Sequence, residues 1–81
     1  MRVTIRLFGR LRDLAGSGEL TREFQGPATA QTVWRSLTTE IPSLEEYERT
    51  LSVAINAEYS RMAAAVQDGD EVAFLPPVSG G

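Results

Sequence analysis

The chain has 81 residues, a length that supports one compact domain rather than two. Hydrophobic residues make up 42% of the sequence and charged residues 23%, which is ordinary for a folded globular domain. The net charge of −3 argues against a nucleic-acid partner, since phosphate recognition needs clustered basic side chains. The sequence contains no Cys, no His and no Lys, which excludes thiol nucleophiles, zinc sites built from these residues and Schiff-base chemistry.

The apolar residues are too scattered for a membrane-spanning helix. No run approaches the roughly 18 apolar residues that such a helix needs. The first six residues alternate between apolar and polar types, which is not the pattern of a signal peptide. We therefore expect a cytoplasmic protein with no membrane partner.

The N-terminal third predicts a strand, a short helix and a second strand. Residues 2–7 alternate in polarity, the period-two pattern of a strand with one buried face. Residues 10–15 predict a short helical turn that Gly16 ends. Residues 20–24 alternate again, and the short separation predicts that this strand pairs antiparallel with the first.

The middle of the chain predicts the main helix. Thr29 occupies the N-cap position, where its hydroxyl can accept a hydrogen bond from an amide of the first turn. Pro42 ends a stripe of apolar residues at helical spacing: Ala30, Val33, Trp34, Leu37 and Ile41. We interpret Trp34 as a core residue rather than a stacking platform for a ligand.

A short acidic segment follows the main helix. Residues 43–46 match the pattern of a capping box, which predicts another helical turn that continues through Glu48. Glu45, Glu46 and Glu48 can be imagined as a metal or acid–base cluster, but a cap and a solvated face explain them more simply.

The C-terminal third predicts a strand and two turns before the final strand. Residues 51–55 alternate, and residues 56–59 are predicted to form a tight turn with Asn56 in the left-handed conformation. The pattern of residues 60–66 is too weak for an assignment. Asp68-Gly69-Asp70 is predicted to be a turn, because it lacks the further oxygen ligands of a calcium loop.

The last segment of the chain leaves the sheet. Residues 71–75 predict a final strand, and Pro76-Pro77 ends it because proline lacks the amide donor of a sheet ladder. We therefore predict a domain over residues 1–77 and a flexible tail over residues 78–81.

The tail carries the strongest functional signal. Gly80 and Gly81 have no side chains, so they can enter a narrow cleft and deliver a terminal carboxylate to a neighbouring protein. Such a carboxylate can be activated as an acyl-adenylate and then attacked by sulfur or an amine. The alternative is a frayed terminus without a role. The sequence offers no other catalytic constellation, so we expect no turnover by this chain alone.

Strand parity predicts an apolar patch near the tail. Phe8 breaks the alternation of the first strand or points outward, and Leu75 points outward if Phe74 faces the core. Together they would form a docking patch bordered by Arg12, unless they are ordinary exposed residues. We interpret the basic residues near the N-terminus as a solvated strand face and loop rather than an anion site: Arg2, Arg6, Arg10 and Arg12.

Three stretches of the sequence resemble one known family. Residues 68–81, DGDEVAFLPPVSGG, resemble the C-terminus of the small subunit of molybdopterin synthase, which typically reads D-G-D-E-V-A-F-x-P-P-V-[ST]-G-G. Residues 7–16, LFGRLRDLAG, are similar to that family's first strand and following helix, and residues 53–56, VAIN, to its central strand. From Gly26 to Thr50 only the helical pattern matches.

The resemblance implies a fold and a chemistry. The fold would be an α+β, ubiquitin-like β-grasp with a mixed sheet of four to five strands and one main helix packed on one face. The chain would bind no cofactor. An E1-like adenylating enzyme would activate its terminal carboxylate with ATP, and a sulfur donor protein would convert it to a thiocarboxylate. In a heterotetramer of two small and two large subunits, the tail would enter the large subunit and give sulfur to cyclic pyranopterin monophosphate during molybdenum cofactor biosynthesis.

The resemblance also implies roles for individual positions. Gly81 would be the terminus that carries the sulfur, and Gly80 would keep the segment before it narrow. Contacts with partner proteins are implied for Phe8, Arg12, Tyr59, Leu75, Pro76, Pro77 and Val78. Tyr59 and Leu75 differ from the leucine and phenylalanine that the family favours, but both keep the surface apolar.

Two alternative functions stay open. The first is a sulfur carrier for thiamine, cysteine or tRNA thiolation, since these pathways reuse the fold and the tail. The second is a ubiquitin-like protein modifier that forms isopeptide bonds through Gly81.

Overall fold

The computed structural model describes residues 1–77, so the predicted tail lies outside the described residues. The first half of the described chain contains β1 (Arg2–Leu7), α1 (Gly9–Ala15), β2 (Glu19–Glu23), β3 (Ala28–Thr29) and α2 (Ala30–Glu40). The second half contains a 3-10 helix (Pro42–Tyr47), β4 (Ser52–Ile55), β5 (Glu58–Ser60), β6 (Ala65–Val66) and β7 (Glu71–Leu75).

Five strands form one mixed sheet in the order β2-β1-β7-β4-β5. β1 and β7 are parallel, whereas β2 pairs antiparallel with β1 and β4 pairs antiparallel with both β7 and β5. The predicted antiparallel pairing of the first two strands is therefore confirmed, and β1 and β7 lie side by side in the interior of the sheet. The unassigned segment 60–66 contains the end of β5 and the strand β6, which pairs with β3 in a separate ladder.

The core lies between this sheet and α2. Alternate residues of β1 and β7 point toward the helix, where the apolar stripe of α2 covers them. Trp34 is fully buried, and its ring centroid lies 5.0 Å from that of Phe74 at an interplanar angle of 54°. This tilted aromatic pair joins helix to sheet and confirms that Trp34 is a core residue.

The two predicted caps have different outcomes. Thr29 is the N-cap of α2, as predicted, and its hydroxyl accepts from the amide of Thr32 at 3.3 Å while the Thr32 hydroxyl accepts from the amide of Thr29 at 3.1 Å. The capping box predicted at residues 43–46 is wrong, because the 3-10 helix begins one residue earlier, at Pro42, and no side chain caps it. Proline is preorganised for the first position of a helix, and this places Ser43 inside the element rather than at its cap.

The turns are set by left-handed residues. Asn56 and Ala57 have φ values of 51° and 69°, so they form the two-residue turn that joins β4 to β5. The left-handed Asn56 is confirmed, but the predicted turn over residues 56–59 was two residues too long. Gly69, at φ 87°, lies in the Asp-Gly-Asp turn, which is also confirmed.

The Asp-Gly-Asp turn fixes β7 beside β1. The Arg2 amide donates to Asp68 Oδ1 at 2.7 Å, and the Gly69 amide donates to the carbonyl of Arg2 at 2.8 Å. The Asp70 carboxylate accepts from the Gln67 amide at 2.8 Å. Among residues 1–77, no helix is long and apolar enough to cross a membrane.

Candidate functional site

The face of the sheet opposite α2 carries the side chains that alternate with the core residues. We call this the open face, and its central row runs across four strands through Arg6, Ala73, Ala54 and Tyr59. Each residue of the row is directly paired with the next one. These side chains are therefore neighbours on one continuous surface.

Tyr59 is the most exposed large apolar side chain of the open face. It is 80% exposed, although it sits in a strand and its paired residue, Ala54, is only 8% exposed. Ala54 and Ala73 present only methyl groups, so an apolar strip lies between the ring of Tyr59 and the side chain of Arg6. The position predicted to contact a partner therefore lies on a strand and points to solvent.

Phe8 lies where β1 gives way to α1. It is 40% exposed and extended, with φ −128° and ψ 158°, so of the two predicted alternatives it is the outward-pointing one that the structure shows. Leu7 pairs with Phe74, so Phe8 and the half-buried Leu75 come at the same end of the two central strands. This arrangement brings together the two apolar residues predicted to form the patch.

Arg6 holds a position that sequence reasoning missed. Its Cζ lies 5.8 Å from the ring centroid of Phe8, within the range of a cation–π contact. Its Nη1 also lies 3.6 Å from Glu71 Oε2 and 3.8 Å from Glu19 Oε1. The guanidinium is thus held by two carboxylates beside the exposed ring. The period-two pattern of β1 placed Arg6 outward but gave no sign of this contact.

Arg12 borders the strand end from the other side. It is exposed on α1, and its Cδ and Nε lie 3.2 Å from the position that a Cβ at Gly18 would occupy. The carbonyl of Gly18 accepts from the Leu7 amide at 3.0 Å, so Arg12 lies on the β2 side of β1. Leu75 lies on the opposite, β7 side.

The chain leaves β7 against the corner between β1 and α1. Cγ of Pro76 lies 3.0 Å, and its Cδ 3.8 Å, from the position that a Cβ at Gly9 would take. Pro76 is half-buried by this corner, whereas Pro77 is exposed. Val78, Gly80 and Gly81 lie outside the described residues, and their assigned roles remain predictions.

The shifted pKa values belong to structural contacts. Paired hydrogen bonds of 2.9 Å from Arg22 lower the pKa of Glu40 and raise that of Arg22, and they tie β2 to the end of α2. Hydrogen bonds from the Gln67 amide and from Asn56 Nδ2 lower the pKa of Asp70. Neither contact involves the residues of the docking patch.

The apolar side chains at this end of the sheet are the part of residues 1–77 that can bind a partner. Within residues 1–77 there is no pocket and no group of three or more acidic side chains placed to hold a metal ion. What the site offers is an exposed apolar patch next to the point where the chain leaves the sheet. Such an arrangement can bind a partner and direct the following residues into it.

The mixed five-stranded sheet and the helix that covers it define a ubiquitin-like β-grasp protein. Residues 5–81 match the ThiS family, and the chain belongs to that family. It is 39% identical over 79 residues to the molybdopterin synthase sulfur carrier subunit of Arabidopsis thaliana, covering 98% of this chain and 82% of that protein. It is 35% identical over 83 residues to the protein of the same name from Chlamydomonas reinhardtii, covering 100% of each. The crystal structure of SAMP1 from Haloferax volcanii is similar with a TM-score of 0.85 and 30% identity, covering 100% of both chains.

Proposed function

We propose that this chain is the sulfur carrier subunit of a molybdopterin synthase. The observation that carries the proposal is the whole-length similarity to two proteins of that name, at 39% and 35% identity. The family match extends through residue 81, so the Gly-Gly tail is part of what the chain shares with its family.

The chemistry of the proposal resides in the tail. In this proposal Gly81 supplies the C-terminal carboxylate, which an E1-like adenylating enzyme activates with ATP. A sulfur donor protein then supplies the sulfur that converts the acyl-adenylate into a thiocarboxylate. Gly80 keeps the approach to this group narrow, and the chain itself holds no cofactor. We expect this activation to take place in the cytoplasm.

The open face and the residues that follow β7 supply the contacts with the large subunit. Phe8, Tyr59 and Leu75 provide apolar area, and Arg12 provides a charged border. Pro76, Pro77 and Val78 lead from the last strand to the glycines. With the small subunit docked in a heterotetramer of two small and two large subunits, the thiocarboxylate passes its sulfur to cyclic pyranopterin monophosphate.

A protein modifier is the second candidate function. The similarity to SAMP1 favours it, because related proteins are named small archaeal modifier protein 1. In that case the activated Gly81 would be attacked by an amine of another protein instead of by sulfur. The chain has no Lys, so it offers no lysine side chain on which such conjugates could extend.

Deletion of the gene in its own cells separates these functions. The sulfur carrier of molybdopterin synthase predicts loss of molybdoenzyme activity with growth that remains independent of added thiamine. Restoration by the wild-type chain, but not by a chain lacking Gly81, is the matched control. A requirement for thiamine with intact molybdoenzymes would contradict the proposal. Loss of lysine adducts on many proteins, with intact molybdoenzymes, would instead support the modifier.

A further inference from the structure

Gly9 is subject to two independent constraints. Its φ of +54° is a conformation that residues with a side chain rarely adopt. A Cβ at this position would also meet Cγ of Pro76 at 3.0 Å, closer than ordinary van der Waals contact allows. The first constraint is local to the corner between β1 and α1. The second concerns the path that the chain takes as it leaves β7.

Because residue 76 is a proline, its contact with position 9 depends on the direction of the backbone. Cγ and Cδ of Pro76 belong to a ring that is closed onto the backbone nitrogen, so no side-chain rotation can move the ring away. A change of ring pucker shifts Cγ by only a few tenths of an ångström, and any larger displacement moves the chain. The preceding residue, Leu75, is held in β7 by its pairing with Ser52. Pro76 is therefore the first residue that can yield. The φ of Pro77 is also fixed, so a change in direction at Pro76 carries through Pro77.

We propose that Gly9 is a positioning residue for the sulfur-bearing end of the chain. Because Gly9 has no side chain, the Pro76 ring can pack closely against it, and this contact sets the direction in which the chain leaves the sheet. The inference rests on the proposed function, since it concerns the delivery of the thiocarboxylate into the large subunit. Gly9 does not touch the reacting atoms and acts only through Pro76.

The chain offers a matched control for the backbone strain. Gly16 also has a positive φ, +78°, but a Cβ there would meet no atom within 4 Å. Gly9→Ala and Gly16→Ala therefore both force alanine into a left-handed conformation, and only the first also displaces Pro76. A purely structural role of Gly9 predicts that the two variants behave alike.

The experiment is a single-turnover sulfur transfer by the full chain. The probe is the chain carrying a chemically prepared C-terminal thiocarboxylate, mixed with the large subunit and cyclic pyranopterin monophosphate. Transfer rates are measured across large-subunit concentrations, to separate the saturated rate from the apparent affinity, and thermal stability is measured alongside. Gly9→Ala is expected to lower the saturated rate about tenfold or more, since a misplacement of reacting groups by about 1 Å can slow a reaction roughly 100-fold. Gly16→Ala is expected to stay near the wild-type rate with a similar loss of thermal stability.

Pro76→Ala tests the same contact from the other side. It removes Cγ and Cδ, so it should slow saturated transfer by itself, and adding Gly9→Ala should then cause no further slowing beyond that of Gly16→Ala. If Gly9→Ala does not fold, Pro76→Ala alone still tests the contact through its own transfer rate. Equal rates for Gly9→Ala and Gly16→Ala, or a wild-type rate for Pro76→Ala, would overturn the positioning role. No transfer by the wild-type chain would instead refute the proposed function.

Discussion

Removal of the Tyr59 ring should separate docking from folding. The residue is 80% exposed, so folding hides only about a fifth of its surface. For a side chain that can bury about 200 Å², this is roughly 40 Å², worth about 1 kcal/mol at 25 cal/mol per Å². Tyr59→Ala should therefore lower the free energy of unfolding, measured by urea denaturation, by no more than about 1 kcal/mol.

Binding of the large subunit should respond much more strongly to the same change. An exposed aromatic residue that becomes buried at the centre of an interface typically contributes about 2 kcal/mol or more, which is roughly a 30-fold change in Kd. Calorimetric titration of Tyr59→Ala with the large subunit measures this loss. Arg35→Ala, on the exposed side of α2, is the control and should bind like the wild type. A loss of stability well above 1 kcal/mol would show that Tyr59 is needed for folding. An unchanged Kd for Tyr59→Ala would show that it does not contribute to docking.

Three further changes test other parts of the structure. Phe74→Ala should cost about 3–5 kcal/mol in urea denaturation, much of the stability of so small a domain, because the ring is fully buried. Arg6→Met should weaken binding of the large subunit severalfold in a titration, because it removes the cation beside the Phe8 ring, while exposed ion pairs contribute at most about 1 kcal/mol to stability. Asp70→Asn should cost about 1 kcal/mol at neutral pH, because the new amide cannot accept both of the hydrogen bonds that the carboxylate accepts. Folding lowers the pKa of Asp70 from 3.8, so its stabilising effect is present above that pH and is lost as the pH falls through the lower, folded-state value. Urea denaturation from neutral to acidic pH should show the difference between wild type and variant closing in acid.

Each of these changes has an outcome that counts against the structure. A near-neutral Phe74→Ala would mean that the ring does not pack in the core. Wild-type affinity of Arg6→Met would leave the contact with Phe8 without a role in docking. A difference between Asp70→Asn and wild type that is the same in acid and at neutral pH would show that the charge of the carboxylate is not what stabilises the turn.

The periodicity of apolar residues was sufficient to predict the elements that bury one face. The alternation of β1 and β7 and the apolar stripe of α2 each record contact with a single core, so both the elements and their inward faces follow from the sequence. The same alternation predicted that Phe8 faces outward. In these elements the local pattern and the tertiary structure agree.

Local sequence patterns did not predict the capping of the 3-10 helix or the short ladder of β3 and β6. Residues 43–46 have the letters of a capping box, but Pro42 starts the 3-10 helix before Ser43 and leaves no cap for it to form. The ladder between β3 and β6 has only two residues in each strand, which is too short for a period to show. Its existence depends on pairing between segments far apart in the chain.

The candidate site was only partly predictable for a similar reason. Tyr59 and the tail were assigned through the resemblance, and the structure adds that Tyr59 points to solvent from an edge strand. The contact of Gly9 with Pro76 joins segments that only the sheet brings together, so no local pattern indicates it. Arg6 and Phe8 are only two residues apart, and their contact depends on the side chains that they carry at the end of β1. The roles of Gly80 and Gly81 still rest on the sequence and the family.

Whether Gly81 carries sulfur can be read directly from the intact mass of the protein. The protein should be purified from its own cells with a tag at the N-terminus only, so that the C-terminus is unaltered. A thiocarboxylate on Gly81 predicts a population heavier by the difference between one sulfur and one oxygen atom, which disappears when Gly81 is removed. An unmodified mass accompanied by covalent adducts on the lysines of other proteins would contradict it and favour the modifier.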